Sequence, residues 1–324
     1  MAARDIHVPE TCAMTILVTG AGGFVGRQIV TRLLAQGKGV VAVDTMAADM
    51  DDAGRPDLLR VVTGDLGDAA VRAKALAEGC AAVIHLATVP GGAAEADPAT
   101  SRRINVDAMY DLLLETAATG ACPRFVYASS IAVFGDPLPS HVDDATPLSP
   151  KMVYGGHKAM MEDAVALFAN RGLIEGVTVR LPGILARPKG PSGMKSAFMS
   201  NLFHALRAGE AFACPVSADA TIWAQSVARC ADNFLHALTL DCSLLPPTRA
   251  VTLPALRVTM GELAARIAAQ CGVSPDLVSY TSDTALEAAF GTQPPLSTPA
   301  AELAGFAHDG DVGNLVASAL ATLA

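Results

Sequence analysis

Tyr154 and Lys158 stand four residues apart in Tyr154-Gly-Gly-His-Lys158, and Ser130 lies 24 residues upstream, just after the run Phe125-Val126-Tyr127-Ala128. On a helix, side chains four apart share a face, one turn from each other. A free phenol titrates near 10, about three units too high for a good base at neutral pH. A nearby ammonium and a positively charged cofactor ring both favour the phenolate. The three residues therefore read as a proton-transfer set. Tyr154 is the base, Lys158 holds its charge state, and Ser130 hydrogen-bonds the same substrate oxygen. Y-x-x-x-K alone recurs by chance, so its weight depends on what else the chain carries.

What else it carries is Gly20-Ala-Gly-Gly23-Phe24-Val25-Gly26, a G-x-x-G-x-x-G turn between an apolar run and a helical stretch. Glycines there permit a tight turn and let backbone N–H groups approach a pyrophosphate at a helix N-terminus. Asp44 follows Gly26 by 18 residues, placed to accept hydrogen bonds from a ribose diol. Its charge repels a 2′-phosphate, and no Lys or Arg follows until Arg55, so the expected cofactor is NAD rather than NADP.

These side chains need elements to hold them. Thr15 to Thr19 and Val40 to Val43 are short β-branched runs that read as buried strands. Leu59 to Thr63, Ala82 to Leu86, Arg124 to Ala128 and Gly176 to Arg180 repeat the pattern. Helical stretches lie between them: Phe24 to Gln36, Ile104 to Thr119 and Gly155 to Arg171. Alternation of this kind predicts an α/β fold, a doubly wound Rossmann-type parallel sheet covered on both faces. Past residue 180, Pro182, Pro188, Pro191 and three glycines break the spacing, and shorter helices follow at Ala197 to Ala208, Gln225 to Leu240 and Met260 to Gln270. The expected organisation is a flexible extension over 1–14 and a cofactor domain over 15–181 with a returning segment near 225–245. Residues 182–224 and 246–324 would form a smaller mixed substrate lobe at the sheet's carboxyl edge.

Composition narrows the alternatives. With 23 Lys+Arg against 32 Asp+Glu, the net charge of −9 argues against broad attraction to nucleic acid or anionic membrane. No apolar run reaches the roughly 18 residues of a membrane span. The seven cysteines, at 12, 80, 122, 214, 230, 242 and 271, include no C-x-x-C pair, so neither a disulfide framework nor a metal site is expected. Met1 to Met14 has no apolar h-region, which reads as a cytoplasmic chain rather than a secreted one.

Thr19 to Gly26, Gly64-Asp65-Leu66, His85-Leu86-Ala87, Asn105-Val106, Ser129 to Gly135, Tyr154 to Lys158 and Arg180-Leu-Pro-Gly183 occur in that order. Together they resemble the extended short-chain dehydrogenase/reductase superfamily, which includes the NAD-dependent epimerase/dehydratase proteins. The resemblance implies that Asp65 and Leu66 flank adenine and that Ala87 lines the cofactor channel. It also implies that Asn105 braces the active-site helix, that Lys158 holds the nicotinamide ribose, and that Pro182 and Gly183 sit near the carboxamide. A narrower resemblance, to the D-erythronate dehydrogenase family, runs through Ser129 to Pro139, Tyr154 to Ala159, Arg180 to Pro188, Cys214-Pro-Val216 and Trp223. It implies NAD-dependent oxidation of the C2 hydroxyl of a four-carbon sugar acid.

Nucleotide-sugar epimerases or dehydratases with tightly bound NAD are the competing reading. In that group an arginine precedes an acidic-aromatic pair and contacts the substrate diphosphate, whereas the matching stretch here, Thr221-Ile222-Trp223, lacks it. A sugar acid needs a carboxylate anchor, for which Arg187, Lys189, Lys195, Ser192 and Ser196 are candidates. Trp223 either packs over the substrate or fills the lobe's core. Extra apolar residues on Ile104 to Thr119 and Gly155 to Arg171 point to a homodimer, since in the superfamily the equivalent helices pair with their copies.

Overall fold

Strands buried on both faces need helices above and below, and the computed structural model, which describes residues 15–46, 50–189 and 195–323, supplies them. The chain begins with β1 (Ile16–Thr19), α1 (Phe24–Ala35), β2 (Val40–Asp44), β3 (Leu59–Thr63), α2 (Ala69–Leu76) and β4 (Ala82–His85). It continues through α3 (Gly91–Ala96), α4 (Pro98–Arg102), α5 (Met109–Ala117), β5 (Arg124–Ser130), α6 (Val153–Asn170) and β6 (Glu175–Leu181). The strands of this half are joined by one later strand in a seven-stranded parallel sheet. Adjacent β1 and β4 run to helices on opposite sides, so a crevice opens at their carboxyl ends.

The second half contains β7 (Gly183–Ile184), α7 (Phe198–Ala208), β8 (Phe212–Cys214), β9 (Thr221–Gln225), α8 (Val227–Ala237) and β10 (Ala250–Thr252). After these come β11 (Leu256–Thr259), α9 (Met260–Cys271), β12 (Val278–Tyr280), α10 (Thr284–Phe290), α11 (Pro299–Leu303) and α12 (Val312–Ala321). A three-stranded sheet, β11-β9-β7, and a two-stranded one, β12-β8, give the lobe its mixed character. One sheet face packs on α1 and α8 through Ile29, Leu33 and Phe234, the other on α5 and α6 through Met109, Leu112 and Val165. The lobe has its own core around Leu202, Phe203, Leu263 and Ile267.

Three expectations need adjusting. Gln225 ends β9 instead of opening a helix, because Ser226 caps α8 by accepting a hydrogen bond from the Arg229 N–H at 3.1 Å. The returning segment reaches beyond 245, since β10 pairs with β6 through Val251↔Val179 as the sheet's seventh strand. The stretch from Ile104 is not a uniform α-helix: Arg103–Ala108 is a wider π-type turn that precedes α5. The extension over 1–14 lies outside the described residues. No helix among those described is long and apolar enough to cross a membrane.

Candidate active site

The crevice at the carboxyl ends of β1 and β4 deepens into a cavity of about 1200 Å³ between sheet and lobe. Small-molecule pockets usually hold roughly 300–1,000 Å³. This one has room for a dinucleotide with a second small molecule beside it.

Its floor is the glycine turn. Gly20 has φ +68°, and a Cβ there would stand 2.8 Å from the Ala87 nitrogen. A Cβ on Gly26 would stand 2.2 Å from the Gly20 carbonyl oxygen, and one on Gly23 3.1 Å from the same atom. The chain can pass this closely only without side chains. No side chain caps α1, so the N–H groups of its first turn, at Phe24, Val25 and Gly26, remain available to an anion. Gly20, Gly23, Phe24, Val25 and Gly26 all line the cavity, as do Asp44, Asp65, Leu66, Ala87, Pro182 and Gly183. A dinucleotide fits this cradle, where the glycine turn and the first-turn N–H groups of α1 would hold its pyrophosphate.

Asp44 ends β2 and accepts the Gly22 N–H at 2.9 Å, which fixes its carboxylate over the turn. Asp44→Ala is expected to lower the preference for NAD over NADP about 10- to 100-fold, the range of one hydrogen bond to a charged group. The ratio of kcat/KM for the two cofactors measures it. Asp65 pairs with Arg103 at 2.7 Å, and the guanidinium holds its carboxyl below the usual range. Arg103 borders the cavity and had no sequence signal. Asn105 lies one layer behind the wall. Its Oδ1 accepts the Val89 N–H at 2.7 Å and the Thr88 hydroxyl at 3.1 Å, while its Nδ2 donates to the Val89 carbonyl and Ser101. Ser101 in turn meets His157 of α6 at 2.9 Å. Asn105 thus links the loop after β4 to the helix carrying Tyr154. It does not touch the cavity itself.

The proton-transfer residues come together. β5 delivers Ser130, and the N-terminal half of α6 delivers Tyr154 and Lys158 to the same cavity. Burial pushes the half-buried Tyr154 phenol up to about 12, while a hydrogen bond with Ser130 and the Arg187 guanidinium act downward. Lys158 is buried; its Nζ donates to the Ala128 carbonyl at 2.7 Å and stands 5.6 Å from the Tyr154 ring centroid. Burial drives its ammonium down to about 7. Besides Lys158, which the spacing placed beside the ring, the Arg187 guanidinium also acts on the phenol.

Arg187 is held from both sides of its peptide. Its N–H donates to Ser200 at 3.1 Å, and its carbonyl accepts from His204 at 2.7 Å. The guanidinium lies over the Phe24 ring at 5.5 Å, and no carboxylate of the described residues pairs with it. Lys189, Lys195 and Ser196 also border the cavity, and Lys189 is exposed. Ser192 lies outside the described residues. Trp223 borders the cavity but is only 1% exposed, with its indole N–H donating to the Pro294 carbonyl at 2.7 Å and its ring packed with Val133 and Phe134. It shapes the cavity wall as part of the core. Among the described residues no group of three His, Cys, Asp or Glu side chains converges to hold a metal.

Residues 16–226 match the family described as the NAD dependent epimerase/dehydratase family. A D-erythronate dehydrogenase of Cupriavidus necator is 35% identical over 296 residues, covering 87% of this chain and 90% of its own length. A second D-erythronate dehydrogenase, from Haemophilus influenzae, is 30% identical over 262 residues, covering 77% and 80%. Among solved structures, a nucleoside-diphosphate-sugar epimerase from Agrobacterium tumefaciens superposes with a TM-score of 0.85 at 27% identity, covering 94% of this chain and 92% of its own.

Proposed function

The chain belongs to the NAD dependent epimerase/dehydratase family and is an NAD-dependent oxidoreductase, and from that premise we propose that it oxidises the C2 hydroxyl of a four-carbon sugar acid, D-erythronate, to the 2-oxo acid. The observation that carries this reading is Arg187, whose guanidinium lies over Phe24 in the same cavity as Tyr154 with no carboxylate partner among the described residues. A small hydroxy acid matches it: the carboxylate pairs with Arg187 and the adjacent C2 hydroxyl reaches Ser130 and Tyr154. Likeness to the two D-erythronate dehydrogenases over most of the chain supports the same choice.

Bound NAD+ supplies the hydride acceptor. Tyr154, as phenolate, takes the hydroxyl proton; Ser130 donates a hydrogen bond to the oxygen as it becomes a carbonyl; Lys158 orients the ribose and holds positive charge near the phenolate. In reduction the same groups return the proton. Because the phenol's pKa lies above neutrality, the phenolate fraction grows about tenfold per pH unit below that value. Oxidation is expected to accelerate with pH on that limb. Arg187→Ala should move the limb to higher pH, because a charge favouring phenolate is lost, and should raise KM for the acid about 10- to 100-fold. Steady-state rates across pH measure both.

An epimerase with trapped NAD is the second reading, favoured by the nucleoside-diphosphate-sugar epimerase likeness. Cofactor content separates the two. A dehydrogenase purifies with little NAD and accumulates NADH with substrate; an epimerase retains NAD and shows no net NADH.

Homodimer formation belongs to the same proposal. Tyr110 and Leu114 on α5 and Leu167 on α6 are exposed apolar side chains that line a shallow hollow, and Met160 on α6 is exposed as well. Sedimentation is expected to give twice the chain mass for the wild type and one chain mass for Leu114→Asp/Leu167→Asp.

A further inference from the structure

Helix α6 carries a third ionisable side chain in register with the first two. Glu162 follows Lys158 by four residues, as Lys158 follows Tyr154, so the three stand on successive turns. Glu162 is 3% exposed and lies behind the cavity wall. Its Oε1 accepts the Ser129 hydroxyl at 2.5 Å and Arg180 Nε at 3.0 Å, and its Oε2 accepts Arg180 Nη2 at 2.7 Å. Arg180, itself buried, lies over the Phe134 ring at 5.3 Å. One carboxylate therefore joins β5 at the residue before Ser130, β6 two residues before Pro182, and the helix bearing Tyr154 and Lys158.

Stability does not explain such a pair. Desolvating two charges offsets most of their attraction, and apolar side chains of similar volume hold a core as well. What the pair has that apolar residues lack is charge, and the nearest use for a negative charge is Lys158. That ammonium is faced by His85 from β4, Tyr127 from β5 with its ring centroid at 4.9 Å, and Tyr154 and Glu162 on its own helix; Arg180 from β6 pairs with Glu162, and Arg187 acts on Tyr154 from the lobe. Burial holds His85 down to about 3, so it stays neutral. Glu162 is the one carboxylate in this group, and its charge acts against the burial that strips Lys158 of its proton.

We infer that Glu162 is a positioning residue for Lys158: its carboxylate, fixed by Ser129 and Arg180, keeps the ammonium charged and aligned next to Tyr154. The inference rests on reading Lys158 as the cofactor-facing member of the catalytic set. It does not depend on which substrate is oxidised.

The test is calorimetric proton release on NAD+ binding as a function of pH, in buffers of different ionisation enthalpy. A positive nicotinamide next to Lys158 favours loss of its proton, so release occurs in the pH window between the bound and free values of that group. Glu162→Gln with Arg180→Met removes both buried charges together and so avoids leaving either unpaired. The window is expected to move to lower pH by about one unit, and further in Glu162→Gln alone, where the Arg180 charge remains. A window superimposable on the wild type overturns the inference. If the paired variant does not fold, Glu162→Asp, which withdraws the charge, should give a smaller move in the same direction, and no move again overturns it. Lys158→Met separates the two ideas. Loss of the window confirms Lys158 as its source, whereas an unchanged window refutes the reading of Lys158 and the inference built on it.

Discussion

Tyr154→Phe is expected to lower turnover by about three orders of magnitude, inside the 10²–10⁴ range of general acid–base catalysis, with NAD+ affinity within a few fold of wild type. The substitution removes one oxygen and leaves the ring in place. That oxygen is the only part of Tyr154 that meets Ser130 and feels the Arg187 charge. Because burial penalises its ionised form, losing it costs the fold little, and the thermal midpoint should stay within a few degrees. Turnover, calorimetry and thermal unfolding measured on one preparation distinguish a lost base from a lost fold. Turnover within a few fold of wild type would remove Tyr154 from its role.

Gly26→Ala is expected to have the larger effect on binding, weakening NAD+ about 100-fold, the scale of one or two lost hydrogen bonds to the charged pyrophosphate. The added carbon would stand 2.2 Å from the Gly20 carbonyl oxygen and 2.8 Å from the Ala21 Cα, and both are backbone atoms. Neither can swing aside like a side chain. Gly20 cannot retreat freely either, since it packs against the Leu86–Ala87 backbone at the end of β4. The turn must therefore shift, carrying the α1 N–H groups off the pyrophosphate. Titration calorimetry reads the affinity; an unchanged Kd would mean that the cofactor's phosphates lie elsewhere.

Much of this was legible in the sequence for local reasons. The glycine turn, Asp44 and the four-residue spacing of Tyr154 and Lys158 are short-range patterns that each imply a geometry. The parallel sheet followed from apolar runs separated by helical ones. Contacts across the chain were harder to see. Arg187 acts on Tyr154 from 33 residues away through an irregular segment, which no local spacing announces. The partner of the Trp223 indole N–H, the Pro294 carbonyl, lies 71 residues away and has no local signal. β10 is only three residues long and follows a break in the alternation, which hid its place at the sheet edge. Glu162 did carry a signal, since Y-x-x-x-K continues as x-x-x-E, but its meaning depends on Arg180 and Ser129 arriving from neighbouring strands.

Oxidation of a small 2-hydroxy acid at C2 is read most directly by NADH absorbance on mixing the protein with NAD+ and single sugar acids. D-erythronate, L-threonate, longer aldonates and simple 2-hydroxy acids make up the series, with the product identified by mass and by its 2-oxo group. The expected result is stoichiometric NADH from D-erythronate, with little from L-threonate, which shares its C2 configuration and differs at C3. No NADH from any member, together with NAD retained through purification and interconversion of a nucleotide sugar, would contradict it.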